Sequence, residues 1–379
     1  MATLPFKWQE LLTGQKSKRV MAGMDRSIHP PAGLDFCSND YLGLKNDPRL
    51  AEAAVEALAK YGAGSGGARL LRGTSPVHEE LEAALAEWKG AESCLLLNSG
   101  YQANVGLIPA LAGRGDAVFS DSLNHASLID GCRMAKGFGA DVFVYKHLDL
   151  DHLREQLAAW HGKRAGKSAA KSVALIVTDA VFSMDGDLAD LPGLVALCGE
   201  FEALLFVDEA HATGLIGPTG AGLAELQGVQ GSAPLVMGTL GKALGGFGAF
   251  VCGDNILIEH LINTCRGFIF STALPAHVAA VALKAIQISK AEPWRRQKAL
   301  GNAATIRQHL GRENCDSAIV PVVIGSNDSA IQQAASLQRH GFDIRAVRPP
   351  TVPEGTARLR ITTNALQREE DVLRLTQLL

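Results

Sequence analysis

Short runs of consecutive apolar residues, separated by polar or alanine-rich stretches, dominate the middle of the chain. A strand covered by helices on both faces has this pattern, because neither of its sides meets water. We predict seven such strands, at residues 93–98, 117–120, 142–146, 173–179, 203–207, 235–238 and 249–252. Helical segments between them predict an α/β fold, in which a large domain holds a mainly parallel seven-stranded sheet between helices.

The segments before this region have other patterns. Residues 1–45 are mixed in character, with a possible helix around residues 8–12, and we interpret them as an N-terminal arm. Residues 48–60 and 75–88 have helical spacing, and each of these helices has a proline in its first turn. Between the two helices, residues 62–73 include five glycines and form a loop whose backbone can approach a ligand closely.

Beyond about residue 280 the pattern changes again. We predict helices at residues 278–290 and 293–310, strands at 318–324 and 358–362, and a closing helix. This mixture predicts a smaller α+β domain. The domains are then the arm (1–45), the large domain (46–280) and the C-terminal domain (281–379).

Composition and charge exclude several classes of protein. Hydrophobic residues make up 47% of the chain and charged residues 20%, as in an ordinary globular enzyme. The net charge of −3 argues against nucleic-acid binding, which needs a concentrated basic face. The basic cluster Lys163, Arg164, Lys167 and Lys171 lies among small residues and predicts a solvated loop.

Seven scattered cysteines, never spaced C-x-x-C, indicate a reducing compartment and argue against disulfides or zinc. No apolar stretch approaches the roughly 20 residues that span a bilayer. The first residues also lack the pattern of a secretory signal. We therefore expect a cytoplasmic protein without a membrane segment.

Lys242 lies between two apolar runs, in the sequence TLGKALGG of residues 239–246. A buried ammonium loses its hydration at a cost of several kcal/mol and tends to become neutral. A neutral lysine is a nucleophile for carbonyl groups, so Lys242 could form a Schiff base with an aldehyde cofactor. The alternative is a lysine on a solvated loop.

Other polar residues follow the predicted strands where each strand ends. In open α/β sheets, ligands bind beyond these carboxyl ends. Gly100 and Tyr101 begin a helix after the first strand, where free backbone N–H groups can bind a phosphate. The alternative there is a plain strand–helix turn. His125 follows the second strand and could stack on an aromatic ring or be a loop histidine with its own partners.

Asp208 directly follows the buried run LLFV and needs a cationic partner, such as a protonated pyridine nitrogen. His211, three residues later, could reach a phenolate oxygen on the same ring, and Ser183 follows the strand before it. A metal-binding or helix-capping aspartate is the alternative for Asp208, but no second ligand lies at a suitable spacing, so we predict no metal. Together with Lys242, these residues can hold pyridoxal phosphate as an electron sink.

Seven motifs resemble the α-oxoamine synthases, pyridoxal-phosphate enzymes with the aspartate-aminotransferase fold (fold type I). They are SNDYLG at 38–43, GSGG at 64–67, HAS at 125–127, VFSMDGD at 181–187, DEAH at 208–211, TLGK at 239–242 and FST at 270–272. The resemblance runs from about residue 34 to the C-terminus. Within the family, residues 348–353 and 355–360 are most similar to the member of the biotin pathway. The resemblance therefore implies decarboxylative condensation of L-alanine with a pimeloyl thioester of coenzyme A or a carrier protein.

The resemblance also implies roles for individual residues. Lys242 would bind the cofactor covalently and move the α-proton of alanine, Asp208 would keep the ring nitrogen protonated, and His125 would stack on the ring. His211 and Ser183 would lie near the phenolic oxygen. The implied phosphate ligands are Gly100, Tyr101 and Thr239, with Ser271 and Thr272 contributed by the partner subunit of a homodimer.

For the substrates, the resemblance implies that Arg360 pairs with the alanine carboxylate, as a bidentate fork that lysine could not reproduce. Asn39 and Thr351 would line the substrate channel, and His125 would face it. We assign the substrate-binding arginine of the N-terminal arm to Arg19, with Lys18 and Arg26 as alternatives. The family usually has glutamate at the position of Asp179.

Three other functions are compatible with parts of this pattern. A sister enzyme of the family would condense glycine or serine with another acyl-CoA. A non-catalytic partner subunit would be expected to lack the lysine that is present here as Lys242. A transaminase would share the cofactor residues but would transfer the amino group to a keto acid.

Overall fold

The computed structural model describes residues 3–163, 172–232, 235–313 and 315–379. Lys163, the first residue of the predicted basic cluster, is exposed. The other three residues of that cluster, Arg164, Lys167 and Lys171, lie outside the described residues. The prediction of a solvated loop there stays untested.

The strands are bounded as follows in the described residues: β1 Leu34–Asp35, β2 Ser93–Leu97, β3 Ala117–Asp121, β4 Asp141–Tyr145, β5 Ala174–Asp179, β6 Leu204–Asp208, β7 Leu235–Thr239, β8 Ala249–Gly253, β9 Ile319–Gly325, β10 Phe342–Asp343, β11 Ala346–Val347 and β12 Ala357–Thr362. Strands β2 to β8 form one seven-stranded sheet in the order β2-β8-β7-β6-β5-β3-β4. Strand β8 is antiparallel to both neighbours, and all the other pairs are parallel. The predicted α/β fold with a mainly parallel sheet is confirmed.

The helices are bounded as follows: α1 Phe6–Met21, α2 Pro48–Tyr61, α3 Pro76–Lys89, α4 Gly100–Leu111, α5 Ala126–Gly137, α6 Leu150–Gly162, α7 Leu191–Phe201, α8 Leu223–Leu226, α9 Asn255–Thr264, α10 Arg266–Ile269, α11 Ala276–Ala291, α12 Trp294–His309, α13 Asn327–Arg339 and α14 Glu369–Thr376. A π-helical turn, Arg69–Gly73, closes the glycine-rich loop. None of the helices in the described ranges is long and apolar enough to cross a membrane.

Both faces of the large sheet are buried, which explains the continuous apolar runs. Phe119 and Ile176 pack into an apolar cluster on one face, whereas their neighbours Val118 and Leu175 belong to the cluster on the other face. Side chains alternate between the faces of a strand, so a strand covered twice must be apolar at every position. The sheet is therefore the middle layer between helices.

A second sheet, β11-β12-β9, is antiparallel, and β1 pairs with β10 in a separate two-stranded sheet. Both sheets contribute to a third apolar cluster, to which Phe36 and Phe342 belong. The three-part division of the chain stays a prediction. Its bound at residue 280 falls inside α11, which packs against α2 and α3.

Several segments differ from the predicted pattern, among them two helices and the unpredicted short strands β10 and β11. Helix α1 is longer than predicted, and none of its side chains is buried within the chain. Helix α13 was missed because its buried residues are mostly alanines in a polar sequence. Its start does carry a sequence signal, since the hydroxyl of Ser326 caps the helix by accepting a hydrogen bond from the Ser329 amide at 3.1 Å.

Candidate active site

Strands β3, β5, β6 and β7 run parallel, so their carboxyl ends meet at one edge of the large sheet. The register places Asp179 at the end of β5 directly beside Asp208 at the end of β6. Thr239 ends β7, and Lys242 follows in the next turn. The candidate site is built on this edge.

The amino group of Lys242 lies 2.8 Å from Nε2 of His211. Desolvation lowers the pKa of Lys242 to about 8, although the carboxylates of Asp208 and Asp179 raise it and Arg360 lowers it further. A substantial neutral fraction is therefore present near pH 7 to 8, as a carbonyl nucleophile requires. The structure thus favours the nucleophile over the solvated-loop alternative.

His211 is buried, with its Nδ1 2.7 Å from the hydroxyl of Tyr41. Burial, together with the charges of Lys242 and Arg360, holds the pKa of His211 well below its usual value. A neutral imidazole therefore lies between Tyr41 and Lys242. Tyr41 belongs to the SNDYLG motif but was not predicted as a site residue.

Asp208 accepts hydrogen bonds from Nδ2 of Asn104 at 2.7 Å and from the amide of Ala210 at 2.8 Å. Both donors are neutral, so neither forms an ion pair with the carboxylate. The same amide nitrogen of Asn104 donates to the hydroxyl of Ser127 at 2.9 Å. Asn104 was missed because only the packing of α4 against α5 brings it here.

His125 is the N-cap of α5, and its Nδ1 lies 2.7 Å from the Ser127 hydroxyl. Its backbone N–H donates to Asp179 at 2.6 Å, which fixes the ring at the edge of the sheet. Desolvation lowers the pKa of His125, while it raises the pKa of Asp179, assisted by the charge of Asp208. Asp179, whose side chain is shorter than the glutamate that the family usually has there, accepts directly from the His125 backbone N–H.

The first turn of α4 is packed tightly against the end of β7. A Cβ atom at Gly100 would lie 2.8 Å from Cγ2 of Thr239, so only glycine fits there. The backbone N–H groups of Gly100 and Tyr101 lie in the first turn, where a helix leaves its donors without intrahelical partners. This turn is suited to a phosphate, whereas the Tyr101 side chain points outward and hydrogen-bonds Asp130.

Ser271 and Thr272 lie near the same turn within one chain. Nε2 of Gln102 donates to the Ser271 hydroxyl at 2.6 Å, and Nδ2 of Asn98 donates to the Thr272 carbonyl at 2.8 Å. The Thr272 side chain is exposed. Their predicted role across a subunit interface stays a prediction.

Arg360 lies on β12 of the second sheet, close to the same edge of the large sheet. Its guanidinium is buried and donates to Oδ1 of Asn39 at 3.1 Å and to the backbone carbonyl of Ser183. Asn39 also accepts from the Tyr41 hydroxyl at 3.2 Å, which links Arg360 to His211 and Lys242. The structure therefore brings Arg360, Asn39 and Ser183 together, with Ser183 contributing its carbonyl group.

The predicted channel residue Thr351 accepts a hydrogen bond from Nη2 of Arg26 at 3.2 Å. Arg348 supports this contact by donating to the backbone carbonyls of Gly23 and Asp25. Arg19 lies on α1 instead, in a half-exposed ion pair with Asp25 at 3.8 Å. The structure thus places Arg26, rather than Arg19, beside Thr351.

Comparisons with known proteins identify the family of the chain. The family model for aminotransferase class I and II matches residues 31–379. An 8-amino-7-oxononanoate synthase from Anaeromyxobacter dehalogenans is 50% identical over 337 residues, covering 88% of this chain and 82% of the relative. The chain belongs to the class I and II aminotransferase family and, within it, to the group of 8-amino-7-oxononanoate synthases.

Solved structures lead to the same family. A serine palmitoyltransferase variant from S. paucimobilis with bound PLP–myriocin aldimine has a TM-score of 0.87 at 30% identity, covering 99% of this chain and 97% of that chain. An 8-amino-7-oxononanoate synthase from Francisella tularensis has a TM-score of 0.76 at 25% identity, covering 91% and 96%. The cofactor of the family is pyridoxal phosphate, and the residues present fit it: a desolvated lysine, a buried carboxylate with neutral donors, and a helix N-terminus beside Thr239.

Proposed function

We propose that the chain condenses L-alanine with a pimeloyl thioester to give 8-amino-7-oxononanoate, carbon dioxide and the free thiol carrier, in biotin biosynthesis. The observation that carries the proposal is the buried guanidinium of Arg360, linked through Asn39 and Tyr41 to His211 and Lys242. An arginine fork binds a carboxylate by two parallel hydrogen bonds. An amino acid held by Arg360 would therefore present its amino end toward Lys242.

When bound, pyridoxal phosphate supplies an aldehyde for an amine and a ring that accepts the electrons of a carbanion. Asp208 would keep a proton on the ring nitrogen by its negative charge. Lys242, with a pKa lowered to about 8, accepts the α-proton of alanine on Nζ and returns a proton after decarboxylation. His125, fixed by Asp179, would cover one face of the ring and exclude water there.

The proposal includes a homodimer in which Ser271 and Thr272 reach the phosphate of the partner subunit. Large apolar side chains exposed on the single chain support it, namely Phe6 and Trp8 of α1 and Phe270 beside Ser271. A cavity of about 360 Å³ is lined by Tyr101, Phe138 and Phe270, and Ser271 directly follows Phe270 in the chain. The cytoplasmic location indicated by the cysteine pattern stays a prediction.

Thiol release by the purified holoprotein tests the proposal, with pimeloyl-CoA and alanine, glycine or serine. Release with alanine, accompanied by the amino-ketone product, is expected. Release only with glycine or serine, or only with another acyl chain, would replace the proposal by a sister activity, which the likeness to serine palmitoyltransferase makes the main competitor. Amino transfer to a keto acid without thiol release would indicate a transaminase, and activity only with a pimeloyl carrier protein would identify the donor.

Arg26 is expected to bind the terminal carboxylate of the pimeloyl chain, because its guanidinium lies beside Thr351. Arg26→Ala should raise KM for pimeloyl-CoA by about tenfold or more with little change in kcat, since a charge-assisted hydrogen bond contributes about 1.5–3 kcal/mol. Heptanoyl-CoA, which lacks the terminal carboxylate, should be used equally well by the variant and the unmodified protein.

The comparison variant is Arg19→Ala, and Lys16→Ala on α1 is the control for loss of a surface charge. A rise in KM confined to Arg19→Ala would show that Arg19, and not Arg26, binds the terminal carboxylate. An equal rise with heptanoyl-CoA and pimeloyl-CoA would show that Arg26 supports the fold of the channel and does not recognise the carboxylate.

A further inference from the structure

The turn of residues 182–187 lies between the two main sheets. It is closed by the bridge between Val181 and Leu188 and by hydrogen bonds from the Phe182 amide to Asp187 and from the Gly186 amide to Phe182. The turn follows β5 of the large sheet. Its tip faces β9 and β12 of the second sheet, which carries Arg360.

Contacts with the second sheet hold the tip of this turn. The backbone carbonyl of Ser183 accepts from Nε of Arg360, and Asp185 forms an ion pair with Arg358. Gly186 adopts φ +75° with its Cα against the second sheet, since an added Cβ would lie 2.5 Å from the Ile319 carbonyl oxygen. The position of the turn therefore sets the orientation of the Arg360 guanidinium.

His147 fixes the other end of the turn to the large sheet. Its Nε2 lies 2.7 Å from Oδ2 of Asp187, and its Nδ1 lies 2.9 Å from Oδ1 of Asp121 at the end of β3. The ring packs edge-on against Phe182, with centroids 4.4 Å apart. Leu148 takes φ 56°, and its amide donates to the second oxygen of Asp121 at 2.9 Å. Only a doubly protonated imidazole can donate to both carboxylates at once.

We propose that the imidazolium of His147 is a positioning residue for the amino acid substrate: it ties the 182–187 turn to β3, so that Ser183 holds Arg360 where the substrate carboxylate binds. The proposal rests on the proposed function in taking alanine as that substrate. His147 does not touch the substrate and acts through the turn.

The two carboxylates raise the pKa of His147 to about 9, against the effect of its partial burial. The charged groups that face the ring are Asp121 from β3 and Asp187 from the turn, with Tyr145 near Asp121 and Cys315 near Asp187. Because the folded pKa exceeds the unfolded value of 6.5, the stabilisation is complete below about pH 6.5 and is lost as the pH rises through about 9.

A neutral imidazole keeps only one of the two hydrogen bonds. Asp121 also accepts from the amides of Leu123 at 2.8 Å and Leu148 at 2.9 Å, so it keeps donors without His147. Whichever carboxylate the neutral ring still contacts, the ring no longer joins Asp121 to Asp187. Deprotonation should therefore untie the base of the turn from β3.

The test compares the unmodified holoprotein with His147→Gln across pH 7 to 10, because glutamine keeps one donor and cannot become charged. At pH 7.5 the variant should bind alanine about tenfold more weakly, with kcat reduced less than about threefold. The ratio of kcat/KM for alanine between the two proteins should approach one above about pH 9.5. Groups that titrate in both proteins cancel in this ratio.

The dissociation constant of alanine, measured from the visible absorbance of the bound cofactor, should follow the same pH dependence without turnover.

Asp187→Asn provides a second variant, in which loss of one carboxylate should move the midpoint of the alanine-binding profile to lower pH. His260→Gln is the matched control, since His260 is exposed on α9 and its Nε2 lies 2.9 Å from the Ala110 carbonyl oxygen. The pH dependence of alanine binding by this control should have the same midpoint as that of the unmodified protein.

A ratio that is independent of pH for His147→Gln, or a midpoint unchanged in Asp187→Asn, would overturn the proposal and leave His147 a structural role. If His147→Gln does not fold, the midpoint in Asp187→Asn decides. Failure of the unmodified protein to release thiol with alanine would instead overturn the proposed function, and alanine binding by absorbance would still test His147.

Discussion

Replacing Lys242 by alanine is expected to reduce condensation by at least about 10³-fold and to prevent covalent attachment of the cofactor. Lys242 is both the attachment point and the group that moves the α-proton, and general acid–base catalysis alone contributes about 10²–10⁴-fold. The fold should survive. Burial lowers the pKa of Lys242 to about 8, so holding its ammonium in the site destabilises the folded state below that pH.

Two measurements check this expectation. Thiol release with alanine and pimeloyl-CoA reports turnover, and the intact mass after borohydride reduction reports covalent attachment. Lys136→Ala, at an exposed position in the last turn of α5, is the matched control and should retain both. Without cofactor, the melting temperature of Lys242→Ala at pH 7 should equal or exceed that of the unmodified apoprotein. Condensation at more than about one-tenth of the normal rate would remove Lys242 from its assigned role.

The large sheet could be predicted from the sequence because its strands, apart from the edge strand β4, are buried on both faces. Continuous apolar runs then identify the strands, and the polar residue after each run falls at the carboxyl edge. Asp208 and His125 are examples. The parallel register places both near Lys242 without any information on side-chain packing.

The residues that were missed depend on contacts between distant segments. Asn104 reaches Asp208 only because α4 packs closely on α5, where a Cβ at Gly131 would lie 2.6 Å from the Asn104 carbonyl oxygen. His147 has no apolar or glycine pattern around it that distinguishes it from a loop histidine. The choice between Arg19 and Arg26 stayed open for the same reason, because Arg26 and its partner Thr351, which was predicted, are separated by 325 positions. Pairings of this kind are set by tertiary packing.

The second large effect is expected at Asp208. Asp208→Asn should lower kcat/KM by about 10²–10³-fold, the range found when one preorganised electrostatic group of an active site is removed. Asparagine is nearly isosteric, and its oxygen can still accept from Asn104 or from the Ala210 amide. The expected loss therefore comes from the negative charge that keeps the ring nitrogen protonated, and Asp208→Glu should recover part of the activity.

Asp179→Asn is the informative comparison, because Asp179 and Asp208 are paired in register on β5 and β6. The negative charge is expected to be needed only at Asp208. Burial and the charge of Asp208 raise the pKa of Asp179, so the site favours a proton on that carboxyl group. An asparagine there resembles the protonated acid and can still accept the His125 backbone N–H, so activity should fall only about threefold, far less than at Asp208. Steady-state kinetics of both variants at pH 7.5, with the visible spectrum of the bound cofactor, separate the two roles. Equal losses at the two positions would show that Asp208 acts through packing, because a charge-specific role predicts a large loss only where the charge is required.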